Sequence, residues 1–595
     1  MALVGLAAAA LAFAAEAGAA RLLEFAARSQ TPGAVQVAEV TGGGQVVIRL
    51  RSKSGSVLGR AQGAARTLNA AMLAGYAPPA LAVAPGAEGA SVLKAGAAVV
   101  VVADKETATL SSTTPAALAA SWRETVQRAL REPYLAFEAL PEALQAPVEE
   151  ARYLSFGGPL GKSLAAVSGN EAVVAVRADV ALRRLKVYGM APGDAEVAVS
   201  AGDLSFRLPV QVRHWAAKIP DGAVAELTGS GQDERIAKKV AVNAALAAAI
   251  PQPGAAVSAL SADRQGSLFR IGLLADGEGY FEAKKQVEVR LKWTVPPDQE
   301  PVDLFVSNSP ERIQSLGSLM REQLLPGRPA RVLYHHVNST GQPLLFVTRI
   351  ANASSEAAAV HVVLAESGPG QDELAVGHTA AVRFWDQTRT GSGYVLRIPP
   401  MAASDIVRVP AARESILSGL AQLTPLSGGT LLVEVLAVPV HHEAQWVEPL
   451  AAEHYAAPRL TAFGFAARKV TELKHEVGGP WGFFSLGREG SINESGTYLA
   501  GDYGVLHQID LELTNPHATA GWAALEVRAG GGVMRGLFLV DGVLHETDML
   551  VGSQQEQIRR IDIPAGATRR VRVETIPESA SNYPVQLVVH SQVEG

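Results

Sequence analysis

Apolar residues recur along this chain in two rhythms: a two-residue alternation that marks half-buried strands, and a 3.6-residue repeat that marks amphipathic helices. Both occur between residues 34 and 131. Val35 and Val37, Val40 one step out of phase, Gly42-Gly43-Gly44, and then Val46, Val47, Ile48 and Leu50 predict a hairpin. Ala64, Ala65, Leu68, Ala71 and Met72 predict a helix over 60–74 with one buried face. Strand-like runs follow at 92–93, 98–103 and 107–110, and Thr114-Pro115 predicts the cap and first turn of a helix over 116–131. Gly42 to Gly44 lack the Lys-Ser/Thr pair of a phosphate-binding loop, so they read as the hairpin turn.

From 150 to 217 the rhythm is alternation alone, at 172–176, 182–188, 195–199 and 204–212, which predicts a small sandwich. Residues 218–296 return to α+β character. A strand is expected at 224–227 and a helix at 234–249, with Lys238 and Lys239 on the solvent face beside Ile236, Val240, Val242, Ala245 and Leu246. Three further strand-like runs precede the segment 293–301, whose proline and charge content is that of a linker.

Beyond that segment the apolar pattern occurs twice. One copy reads Leu345 to Asn352, then 357–364, then Ile398-Pro399-Pro400 with Ile406-Val407-Arg408-Val409. The other reads Ile509 to Pro516, then 523–527, then Ile563-Pro564-Ala565-Gly566 with Val571-Arg572-Val573. Asn352 precedes Ile398 by 46 residues and Asn515 precedes Ile563 by 48. Each Asn ends a strand and opens a turn, and each Ile-Pro begins a turn before another strand, so two antiparallel sandwiches are expected.

The resulting picture is a multidomain, mainly β chain with α+β parts. It comprises an α+β domain at 20–149, an Ig-like sandwich at 150–217, a second α+β segment at 218–296, and β-sandwiches at 302–450 and 460–595. At 595 residues and 48% apolar content there is material for several cores. Residues 1–19 read as a signal peptide, with an apolar run from Ala2 to Ala15 and the small triplet Ala17-Gly18-Ala19 as an A-x-A-type cleavage site, although no Lys or Arg precedes the run. Export to the periplasm, the cell surface or beyond is therefore expected, with no apolar stretch long enough for a transmembrane anchor. The absence of cysteine removes disulfides, thiol nucleophiles, lipoprotein acylation and Cys-ligated zinc. A net charge of −6 offers no basic field for nucleic acid.

Two resemblances add to this reading. Gly189-Met190-Ala191-Pro192-Gly193-Asp194 and the strand after it resemble the Pro-Gly turn and strand of bacterial Ig-like and pilus-assembly N-terminal modules. Asp303-Leu304-Phe305-Val306-Ser307-Asn308-Ser309-Pro310-Glu311 with Leu316-Gly317, Tyr334-His335-His336-Val337-Asn338, and Gly501-Asp502-Tyr503-Gly504-Val505 resemble an uncharacterised cyanobacterial family, domain of unknown function 3370. This second likeness spans roughly 302–592. Asp502 stands where that family's pattern has Asn. The resemblance implies an exported bacterial protein and assigns no chemistry.

Candidate chemistry is sparse. Twelve of the thirteen histidines follow residue 330, including the pairs His335-His336 and His441-His442. Neighbours on a strand face opposite ways, so a metal site needs one member of each pair and a carboxylate such as Glu443. No H-E-x-x-H or G-x-S-x-G motif occurs. Gly391-Ser392-Gly393-Tyr394 reads as a hairpin turn, and Glu366, Asp372 and Glu373 flank a loop at 367–371. Trp481, Phe483 and Phe484 follow Gly478-Gly479-Pro480 and either plug a seam between sandwiches or offer rings to a glycan or protein partner. The expected role is a non-catalytic envelope or surface protein that spaces, docks or adheres, with an envelope protein or polysaccharide as partner, self-association left open and no cofactor assigned. The alternatives are a metal-dependent enzyme centred on the histidines and a carbohydrate-binding surface protein.

Overall fold

The computed structural model describes residues 20–30, 35–53, 55–230, 233–440, 448–449 and 464–594. The signal-peptide segment 1–19 and the candidate ligands His441, His442 and Glu443 lie outside the described residues. The chain divides into two compact units, one made of residues 1–215 with 279–281, the other of 216–278 with 282–595.

In the first unit the expected hairpin is the pair Gln36–Gly42 and Gln45–Ser52, extended by Phe25–Ser29. Helix α1 (Leu58–Leu73) buries Ala61, Ala64, Ala65, Leu68 and Met72, the stripe that the 3.6-residue repeat marks. Residues 107–110, expected as a strand, belong instead to the short helix α2 (Lys105–Leu110). Asp104 caps it by accepting the Thr107 N–H at 2.7 Å, a local signal that outweighs the β-branched threonines. Helix α3 (Pro115–Ala129) starts at the expected Thr114 cap, with Trp122 and Val126 buried. The same unit contains the Ig-like sandwich, with four strands at Val174–Asp179, Arg184–Gly189, Gly193–Ala201 and Leu204–Arg213 distributed over two sheets. Gly157 allows close packing against α1, because a Cβ there would stand 2.3 Å from the Met72 carbonyl oxygen.

The second unit is built on an eleven-stranded sheet. Leu227 and Thr228 pair with Tyr394 and Gly393, so the α+β segment 218–296 shares this sheet with strands of the first large sandwich. Helix α4 (Glu234–Ala248) buries Val240, Ala241, Ala244 and Ala245. Lys238 is exposed, but the Lys239 ammonium turns inward and donates to the Ile406 carbonyl, correcting the solvent-face reading. Burial pulls the Lys239 amine down to about 8.

Both copies of the repeat have one topology. Leu344–Asn352 pairs with Ala402–Ala411 in one sheet, and Ala358–Gly370 pairs with Gly393–Ile398 in the other. Likewise Leu506–Thr514 pairs with Thr568–Thr575, and Gly521–Ala529 with Gln555–Ile563. Near-equal spacing conceals different inserts. The first copy holds helix α5 (Glu373–Thr390), which the sequence reading did not mark, and most of the loop expected at 367–371 is the end of strand Ala358–Gly370; the second copy holds short strands such as Leu537–Val540 and Val543–Glu546. Gly391 is accordingly the left-handed C-cap of α5, φ 64°, rather than part of a hairpin turn.

The marker asparagines close these sandwiches. Asn352 Nδ2 donates to the carbonyls of Glu356 (2.7 Å), Ile398 (3.2 Å) and Pro399 (3.1 Å), and Asn515 repeats this with Thr519, Ile563 and Pro564. Asn338 forms a third such corner with Gln342, Ala411 and Ala412. Each Oδ1 accepts the N–H two residues on, from Thr340, Ser354 and His517. One carboxamide thus ties together two neighbouring crossings from sheet to sheet.

Replacing Asn352 or Asn515 by Ala would leave buried carbonyls without donors and is expected to cost about 2–4 kcal/mol each. Chemical denaturation followed by tryptophan fluorescence measures it, and a change below about 0.5 kcal/mol would remove the corners as a stabilising device.

Candidate functional site

His335 and His336 lie on Ala330–Asn338, a strand whose every residue is buried because both faces are covered. They point in opposite directions, as neighbours on a strand must. His336 faces the partner sheet, near Ser307 Oγ at 2.9 Å and the Pro310 carbonyl at 3.0 Å, with its ring 5.7 Å from that of Phe346. Burial pulls its imidazole down to about 4, so it is a neutral core histidine. His361 is held in the same way by Thr228 Oγ1 at 2.8 Å, with burial bringing it to about 4.

His335 faces the other way, into a cleft of about 480 Å³. Asn308, Glu311, Glu373 and Tyr503 line it together with Ser579 to Asn582. Three separate segments that carry the family resemblance therefore each send a side chain to one place: Asn308 and Glu311, His335, and Tyr503. His335 Nε2 lies 3.3 Å from Glu373 Oε1, in the first turn of α5. Neither Glu311 nor Glu373 was singled out beside His335 by sequence. The intervening strands place them together across the first sandwich, a relation that linear spacing cannot carry.

The wall of the cleft is tied down. Tyr503 donates to the Ser581 carbonyl at 2.9 Å, and Ser581 Oγ donates to the Arg535 carbonyl at 2.7 Å. Gly377 lets α5 meet the segment 578–581, since a Cβ there would lie 2.0 Å from the Ser579 carbonyl oxygen. Next to it, His378 stands between Glu578 (2.7 Å) and Glu546 (2.9 Å), and Arg535 pairs with Glu546. Burial pushes the Glu578 carboxyl up to about 7, against the pull of His378. Burial by itself disfavours protonated His378, but its two carboxylate partners outweigh that and raise it. Asp502 is also matched. Burial opposes its ionisation, yet His507, Lys469 and Ser491 hold its carboxyl below the usual range. Lys469 donates to it at 2.7 Å, which accounts for a charged residue where the family pattern has Asn.

The second candidate is the outer face of the C-terminal sandwich. Trp481 and Phe483 are 52% and 55% exposed, so they do not plug a seam. Phe484, one step along the strand Gly482–Leu486, packs into the core instead. Trp481 stacks on His590 at 4.7 Å and 20°, His590 meets Trp522 edge-on at 5.6 Å, and the Arg560 guanidinium lies 4.6 Å from the Trp522 ring centre. Glu526 fixes the His590 ring through Nε2 at 3.0 Å. Trp522, Arg560 and His590 were not anticipated. The alternation around Ala523, Leu525 and Val527 carried the signal for an outward Trp522.

The shared proton economy of His378 and Glu578 has a measurable sign. Both groups titrate higher in the folded chain than in the unfolded one, so the folded state holds more protons and stability falls as pH rises through the folded values. Between pH 5.5 and 7.5, below the range of Lys239, the melting temperature should fall by several degrees more in the native chain than in Glu578→Gln. Parallel pH profiles for the two proteins in differential scanning calorimetry would contradict this assignment.

No family model matches the chain, and no curated protein matches its sequence. Among solved structures, domains 5–6 of the S-layer protein SbsC are similar over 27% of this chain and 99% of that one, at 11% identity and a TM-score of 0.12. Fibronectin(III)-like modules of Clostridium thermocellum CbhA align over 27% and 94%, at 12% identity and 0.14. The M60 catalytic domain with two CBM51 domains of Clostridium perfringens ZmpB aligns over 77% and 55%, at 8% identity and 0.16. The multidomain, mainly β assignment rests on the sheets of this chain itself. Among the described residues, no helix is long and apolar enough to cross a membrane.

Proposed function

We propose that this chain is an exported, non-catalytic surface protein whose modules space and present an adhesive face, and that the face binds polysaccharide. The observation that carries this reading is the row of Trp481, His590, Trp522 and Arg560 on the outside of the C-terminal sandwich. A sugar ring has an apolar C–H face and a rim of hydroxyls. Trp481 has one ring face occupied by His590 and remains half exposed, which suits stacking under such a ring. Arg560, Asp562 and Gln592 flank the aromatic residues on neighbouring strands and supply donors and acceptors for the rim. The rings are held before any ligand arrives, so little side-chain entropy is lost on binding.

The export expectation and the resemblance to domain of unknown function 3370 support the same reading. In the cleft, Ser579 Oγ has no hydrogen-bond partner and Tyr503 spends its proton on a backbone carbonyl, so neither is paired with a base as a nucleophile would be.

Affinity electrophoresis of the full chain in gels containing cellulose derivatives, chitin derivatives, α-glucan or bacterial cell-wall polysaccharide tests this proposal. At least one should retard the native protein, and Trp481→Ala should weaken that retardation about tenfold, equivalent to about 1.4 kcal/mol. Retardation by none, or retardation that Trp481→Ala leaves unchanged, would overturn the polysaccharide reading.

A further inference from the structure

The cleft beside His335 has a feature that the adhesive reading does not use. Glu311, His335 and Glu373 each offer one ligand atom, and these atoms all lie within 4.8 Å of one another. Three ligands about 2.0–2.2 Å from one ion are necessarily separated by about 3–4.4 Å, so little adjustment is required. We propose that these three residues bind a first-row divalent cation of the zinc type, with its remaining coordination positions open to the cleft.

Four observations support the site. First, the ligands come from three independently anchored segments. The Glu311 carbonyl accepts the Val337 N–H at 2.9 Å, which ties its loop to the histidine strand. His335 sits in a central strand paired on both sides, and Glu373 sits in an α5 first turn fixed by the Asp372 cap at 3.0 Å. Second, two carboxylates converge on one histidine and, among the described residues, no Lys or Arg pairs with either. Two like charges brought together in this way favour a cation between them.

Third, the buried wall of the cleft is short of partners. His335 is only 5% exposed and its Nδ1 has no hydrogen-bond partner, and Ser579, 6% exposed, has an Oγ in the same condition. An orphaned buried polar atom costs about 1–3 kcal/mol. A hydrated cation in the cleft would present bound water to such orphaned groups while one imidazole nitrogen coordinates it. Fourth, the donor set selects the metal class. One imidazole with two carboxylates suits zinc, manganese or iron, whereas calcium prefers an all-oxygen shell of six to eight ligands. This site differs from the one the sequence suggests, because its carboxylates are Glu311 and Glu373 rather than Glu443.

The test uses the full chain, stripped with chelator and dialysed. Isothermal titration with Zn²⁺, Mn²⁺ and Ca²⁺ should show one Zn²⁺ per chain at about micromolar affinity or tighter, with Ca²⁺ weaker by about 100-fold or more. Glu311→Gln and Glu373→Gln alter side chains that reach solvent and should leave the circular dichroism spectrum and melting temperature of the stripped protein unchanged. Each should weaken Zn²⁺ binding by about 10-fold or more, and His335→Gln should abolish it. Co²⁺ substitution should give visible d–d absorption that Glu373→Gln alters. Trp481→Ala should bind Zn²⁺ like the native chain, which separates this site from the adhesive face. Absence of saturable binding below about 100 µM, or Glu→Gln variants that bind Zn²⁺ as tightly as the native chain, would overturn the proposal.

Discussion

The second unit depends on what three buried carboxamides do. A β-sandwich must carry its chain from one sheet to the other, and each crossing exposes backbone carbonyls at the rim with no strand to pair them. Asn338, Asn352 and Asn515 answer this by placing one side-chain amide between two crossings at once, donating to three carbonyls and accepting an N–H through the oxygen. Only Asn has two N–H donors and a carbonyl acceptor on a stem this short. Asp would bring a charge with no donor, and Gln a longer reach. The device fixes the register of both crossings, which allows the inserts between them to differ as much as an eighteen-residue helix and a set of short strands.

Those inserts then set the surroundings of the central strand. Helix α5 covers the face of Ala330–Asn338 that carries His335, while the partner sheet covers the face that carries His336. The same helix reaches the C-terminal sandwich through Gly377 and His378. Arg331 adds a second tie. Buried over the Phe384 ring, it donates to the carbonyls of Ala467 and Gly504 at 3.1 and 2.8 Å. Its charge is met by carbonyl dipoles rather than by a directly bonded carboxylate, and removing it would take a donor from the Gly504 carbonyl, whereas that of Ala467 keeps the Leu506 N–H.

Much of the fold was legible because periodicity and caps are local. The α1 stripe, the Thr114-Pro115 start and the four Ig-like strands needed only neighbouring residues. The repeat was legible because Asn352 to Ile398 and Asn515 to Ile563 are contacts, so their spacing is constrained by the corner itself. Other features depended on distant packing. Helix α5 was hidden because Gly368-Pro369-Gly370 read as a loop, although Asp372 and Glu373 are a cap and first turn. Lys239 looked solvated because its buried acceptor, Ile406, lies 167 residues away. Phe484 and Phe483 differ only in strand parity, which their loop-like context concealed. Of the two candidate histidines within the described residues, His335 lines the cleft and His336 belongs to the core. The two carboxylate neighbours of His335 come from positions 24 residues before and 38 after, with no motif to link them.

The ties of α5 bear on the cleft itself. Glu373 and His378 are five residues apart on one helix, so the contact that docks α5 on the C-terminal sandwich and the contact that brings Glu373 to His335 belong to one rigid element. Ser579, Ser581 and Asn582, which form the opposite wall, follow directly on Glu578, the acid that holds His378. Loss of the proton shared by His378 and Glu578 would therefore loosen both walls together. Cation binding at Glu311, His335 and Glu373 would act in the opposite sense, pinning the helix to the central strand by bonds that need no proton. By linkage, helix docking would tighten the cation site by the same factor by which the bound cation favours docking. Helix α5 thus touches both sandwiches of this unit, through Glu373 at the cleft and His378 beside it.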